Sequence, residues 1–124
     1  MEEDNLEDSL WYSMLYNSNS IRNHILKKYK IKYDLILPII LRNRNCVISD
    51  VLKFDNLILF KMIIKQYPER IFEIEIEELK TASEIIFYLK YNIYKLVNHI
   101  NMSSDDKRKF DDLCNFLYKV RPKL

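Results

Sequence analysis

The chain of 124 residues contains no glycine. A residue without a Cβ is the usual means of turning a backbone through positive φ or letting a phosphate approach the main chain, and of building a strained nucleophile turn. Gly-rich phosphate loops, dinucleotide fingerprints and nucleophile elbows are therefore all but excluded. Sharp reversals fall instead to asparagine, the commonest non-glycine residue to accept a left-handed backbone. The composition is also rich in Ile, Asn, Lys and Tyr. That is the bias of A+T-rich coding DNA, as in large DNA viruses, some protists and some intracellular bacteria.

The length is that of one domain, so residues 1–124 are read as a single unit with a core of its own. With 48% apolar and 31% charged residues, the composition is globular. "MEEDNLED" and "EIEIEE" (73–78) are acidic, whereas residues 21–44 hold seven Lys or Arg against Asp34. The surface is expected to be electrically lopsided. Cys46 and Cys114 have no Cys-x-x-Cys spacing and no signal peptide, and are expected to be free buried thiols. The apolar runs "LILPIIL" and "IIFYL" are too short to span a bilayer. A soluble protein of a reducing compartment is expected, with the cytoplasm as its place and the nucleus left open.

Apolar spacing predicts an all-α chain. "LEDSLWYSMLYN" (6–17) puts Leu6, Leu10 and Met14 on one face, widened by Trp11 and Leu15. "SNSIRNHILKKYK" begins with capping residues and ends with lysines suited to a helix C-terminus. "YDLILPIILRN" reads as a buried helix that Pro38 either opens or kinks. "CVISDVLKF" predicts a helix facing inward through Val47, Val51 and Phe54. "FDNLILFKMIIKQYP" follows, with Leu57, Phe60, Ile63, Ile64 and Tyr67 as its stripe and Pro68 as its stop. "RIFEIEIEE" alternates like a strand but has no partner, so an extended loop is expected. Two helices are predicted over 77–90 and 91–100, and a last one behind the Ser103-x-x-Asp106 cap, facing inward through Phe110, Leu113, Leu117 and Val120.

"YNSNSIRNHILKKY", "KFDNLILFKMIIKQY" and "LKYNIYKLVNHI" share a form: Asn before an apolar residue, a shorter helix ahead and a longer one behind. Aligning Ile21, Leu57 and Ile93 gives a step of 36 residues, the expected period of a helix–turn–helix repeat. Over residues 9–100 this resembles a degenerate ankyrin-repeat array, without the Thr-Pro-Leu-His opening, the turn glycine or the usual shorter period. The resemblance implies a short array of antiparallel helical hairpins that binds other proteins and performs no catalysis. A compact helical bundle similar to the Bcl-2-like proteins of large DNA viruses is the alternative, and it carries the same implication.

No catalytic, cofactor-binding or metal-ligating residues are identified. His24 and His99 lack ligands at metal spacing. Glu73, Glu75, Glu77 and Glu78 lack the Asp-x-Asp-x-Asp loop of a calcium site and read as a solvated edge. The candidate partner-binding residues are Trp11 and Tyr12, for contact or self-association, and the basic group Lys27, Lys28, Lys30, Lys32, Arg42 and Arg44. Tyr29 and Tyr33 interleave the latter, so segment 27–44 also suits the phosphates and bases of a nucleic acid, the second reading. The expectation is an adaptor or inhibitor, virus-encoded and aimed at a host protein.

Overall fold

Apolar residues spaced three and four apart organise the chain throughout the computed structural model, which describes residues 2–16, 27, 38, 41, 42 and 47–120. All-α architecture follows: among the described residues there is no strand. The helices are α1 (Glu2–Leu15), α2 (Val47–Lys53), α3 (Leu57–Gln66), a 3-10 helix (Pro68–Glu73), α4 (Ile76–Leu79), α5 (Ser83–Val97) and α6 (Ser104–Lys119). Lys27, Pro38, Leu41 and Arg42 also carry helical backbone. The remaining residues of the second and third predicted helices lie outside the described residues.

Proline and hydroxyl caps set boundaries where the sequence places them. Pro68 ends α3 and occupies the first turn of the 3-10 helix, where its missing N–H costs nothing. The Ser103 hydroxyl accepts from the Asp106 N–H at 3.1 Å and opens α6. Three expectations are corrected. The alternating segment 70–76 is the end of the 3-10 helix and the start of α4, with only Ile74 and Glu75 extended between them. Phe54 falls just past α2 and is 42% exposed. The two helices predicted over 77–100 are the four-residue α4 followed by one continuous α5, which runs straight through Asn92. Asn92 turns nothing; its amide donates to the Tyr88 carbonyl one helical turn back at 2.8 Å.

The reversal between α2 and α3 is made by Asp55, the one described residue with positive φ, at 46°. Asparagine was expected there, but aspartate tolerates the left-handed region for the same reason. The Asp55 carboxylate also has a further use. It accepts from the backbone N–H groups of Glu84 at 3.0 Å and Ile85 at 3.1 Å, so it caps α5, whose own Ala82 has no side chain able to do so. Asp55→Gly is expected to cost about 1–2 kcal/mol through loss of this cap. Asp55→Ala should be about 0.5–1 kcal/mol worse again, because alanine resists positive φ. Urea denaturation of the two variants measures both terms.

Helix pairs α2–α3 and α4–α5 stack like on like: α2 packs on α4 and α3 on α5. The first residues of α3 lie beside those of α5, and Phe60 and Lys61 reach Tyr88 a turn further on, so α3 and α5 run in the same direction. Three hydrogen bonds tie the layers, and a fourth ties Arg70 of the 3-10 helix to Leu41, all at nearly constant spacing. Arg70 to the Leu41 carbonyl, Ser49 to Glu78 and Glu84 N–H to Asp55 each join residues 29 apart; Ile85 N–H to Asp55 joins residues 30 apart. The ring contacts of Phe60 and Lys61 with Tyr88 span 28 and 27 residues. The 3-10 helix touches α2, α3, α5 and α6, and α6 packs against α5, with Lys90 bonded to the Val120 carbonyl and Tyr94 beside Phe110. One continuous cluster runs from Leu10 and Trp11 through Phe60, Ile71 and Leu89 to Leu117.

Candidate functional site

α5 carries more apolar surface than its neighbours cover. Ile85, Ile86, Leu89, Ile93 and Val97 enter the core, while Phe87, Tyr91 and Tyr94 stand on another face, 55%, 64% and 71% exposed. α3 likewise buries Leu59, Phe60, Ile63 and Ile64 but leaves Ile58 64% exposed. Because α3 and α5 lie side by side, Phe87 and Tyr91 border a trough of about 490 Å³, lined also by Leu57, Lys61, Glu84, Tyr88 and Asn92. A second hollow of about 390 Å³ shares Leu57 and Glu84 with it and extends to Ile58, Phe54 and Tyr16. The result is a strip of exposed apolar side chains spread over two adjoining hollows, the second also lined by the polar Asp55 and Asn56.

The strip is braced from within. Phe87 and Tyr91 meet edge-on at 5.0 Å between centroids, and Tyr16 and Phe54 at 4.7 Å. The Lys61 ammonium sits 5.0 Å from the Tyr88 ring centre, a cation–π contact, and Tyr88 in turn meets the buried Phe60 at 6.3 Å. At the strip's waist Lys61 on α3 and Glu84 on the first turn of α5 are both exposed, one of each charge. Five residues, Tyr16, Phe54, Ile58, Phe87 and Tyr91, leave on the order of 600 Å² uncovered, from side chains of about 150–250 Å² each. Summed over the two hollows, that is comparable with the larger apolar patches of ordinary monomers.

Beside the strip's far end, Tyr94 on α5 meets Cys114 on α6. Burial pushes the Cys114 thiol up, against the opposing effect of its hydrogen bond with Tyr94, and nearby Asp111 pushes it further in the same direction. The Tyr94 hydroxyl is raised chiefly by the charge of the Cys114 thiolate. The thiol is free and half-buried rather than fully enclosed. A raised thiol is a poor nucleophile at neutral pH. Among the described residues no three His, Cys, Asp or Glu side chains gather as a metal site, and no helix is long and apolar enough to cross a membrane.

The residues singled out from sequence are dispersed. Trp11 is fully buried, its indole N–H donating to Asp50 at 3.1 Å, and offers a partner no surface. Tyr12, the next residue of α1, is half exposed. Lys27 and Arg42 are exposed, while Lys28, Lys30, Lys32 and Arg44 lie outside the described residues, as do Cys46 and His24. His99 is exposed; Glu73, Glu75 and Glu77 are exposed and Glu78 is half-buried against Ser49. Sequence reasoning passed over Phe87 and Tyr91. Their signal was legible as an aromatic series at 87, 91 and 94, a second helical stripe beside the aliphatic one.

No protein-family model, curated protein or solved structure matches the chain.

Proposed function

We propose that this chain is a non-catalytic protein–protein interaction module, an adaptor or inhibitor, whose binding face is the aromatic trough between α3 and α5. The observation that carries the reading is the pair Phe87 and Tyr91, each more than half exposed on the lining of a concave, largely apolar trough. Large rigid aromatics exposed in a row cost hydration in the free protein and supply anchor area in a complex. Two parallel helices leave a groove of the width that receives apolar side chains at helical spacing from another protein segment. Lys61 and Glu84 frame that surface and would orient the incoming segment.

Selection of phage-displayed peptides on the immobilised protein tests the assignment, with the double variant F87S/Y91S as counter-target. Both side chains are exposed, so the variant should retain its fold. Sequences with two or three apolar anchors should be captured by the parent and lost on the variant. Equal capture by both, or none by the parent, overturns the assignment.

A further inference from the structure

We infer that the partner received by the trough is a second copy of this chain, docked about a two-fold axis that crosses the strip between Lys61 and Glu84. The inference rests on the interaction reading above and supplies its occupant. Two features of the strip, its charge arrangement and its area, favour a copy over an unrelated segment.

The first is self-complementarity. An interface between identical chains about a two-fold axis uses the same patch twice, so every group at one side of the axis must suit the group at the other. Lys61 on α3 and Glu84 on α5 both line the trough. An axis through their midpoint sets Lys61 of each copy against Glu84 of the other, forming two opposite-charge pairs and no like-charge pair.

The second is area. Uncovered surface on the order of 600 Å² from five side chains, with the flanking Lys61 and Glu84 added, approaches the roughly 800 Å² per partner of a standard stable interface. Pairing of the strip is expected in the micromolar range, since charge pairs at a partly exposed rim add orientation more than affinity.

Sedimentation equilibrium from low to several hundred micromolar protein tests this directly. The parent should pass from monomer to dimer across that range, and F87S/Y91S should remain monomeric. Lys61→Glu alone and Glu84→Lys alone should each weaken association about tenfold, because each faces two like charges across the axis. The double reversal K61E/E84K should return it to within about threefold of the parent, because both pairs are re-formed with opposite polarity. Such a recovery has no explanation in lost folding.

A chain that stays monomeric at every concentration overturns the second copy as partner. So does a dimer indifferent to the charge reversals, which would lie on another face. If the monomeric chain still captures peptides in a Phe87- and Tyr91-dependent way, the interaction reading stands without the dimer. If it captures none, both fall.

Discussion

Trp11→Ala is expected to destabilise the protein by about 3–5 kcal/mol, the cost of truncating a fully enclosed aromatic. The side chain is 0% exposed and sits in the continuous cluster with Leu10, Met14 and Leu15 of α1 and Val47, Val51 and Leu52 of α2. Removing the indole opens a void that close-packed neighbours fill only in part. It also strips the Asp50 carboxylate of an N–H donor at 3.1 Å. A domain of this size has about 5–15 kcal/mol in all, so this one change removes a large share of it. Trp11→Phe keeps a ring but loses the hydrogen bond, and should cost about half as much. Urea denaturation should show the midpoint falling with little change in slope. The experiment also decides the residue's role: an anchor for a partner would lose binding and leave stability untouched.

Asn56 is the second site of large effect, because one side chain serves two helix ends. Its Oδ1 accepts from the Leu59 N–H at 3.1 Å and opens α3. Its Nδ2 donates to the carbonyls of Met14 at 2.9 Å and Leu15 at 3.1 Å, in the last turn of α1. Those carbonyls have no partner within their own helix, so the amide supplies what the helix end lacks. Asn56→Ala should cost about 2–3 kcal/mol, roughly 1 for the cap and the rest for part-buried carbonyls left without a donor. For a chain of this length that corresponds to a fall in Tm of about 8–11 °C. Asn56→Asp is the discriminating variant. It retains the acceptor for α3 but sets a carboxylate against the negative end of α1, and should be nearly as damaging as alanine. Asn56→Ser, which keeps the cap and cannot reach α1, should fall between the parent and alanine. Thermal unfolding of the three variants measures each contribution.

Asp55 and Asn56 show how much of the fold was legible in the sequence. "DN" between two apolar runs announces a turn, and the absence of glycine makes such a pair the only economical way to build one. The division of labour within it was not legible. Which of the two takes positive φ depends on where their side chains must reach: Asp55 to α5, 29 and 30 residues onward, and Asn56 to α1, some 41 and 42 residues back. Those distances exist only once the helices are stacked.

The turn expected at Asn92 failed for a related reason. Aligning Leu57 with Ile93 gives a step of 36, whereas the layers are bonded at 29 and 30. The two spacings differ by about seven residues, close to two helical turns, and sliding an amphipathic helix by two turns puts its apolar stripe back on the same face. Periodicity therefore finds the stripe and is blind to such a slide. Asn92 suggested a turn because asparagine, here an interior residue of α5, looks the same in sequence as one at a turn.

The sequence alone determined that this chain is helical, where Pro68 and Ser103 punctuate it, and that Leu10, Met14, Val47, Val51, Phe60, Ile63, Ile64, Leu113 and Leu117 face inward. Those properties depend on near neighbours, within one or two turns, and are written in local spacing. Only the tertiary structure decided that the sole tryptophan is sealed inside, that two adjacent polar residues bind three helices together, and that Ile58, Phe87 and Tyr91 remain outside. An aromatic on a helix carries the same pattern whether a neighbour covers it or water does. Its exposure is set by which faces of α3 and α5 are left over after stacking, a property of the assembled layers that no single segment contains.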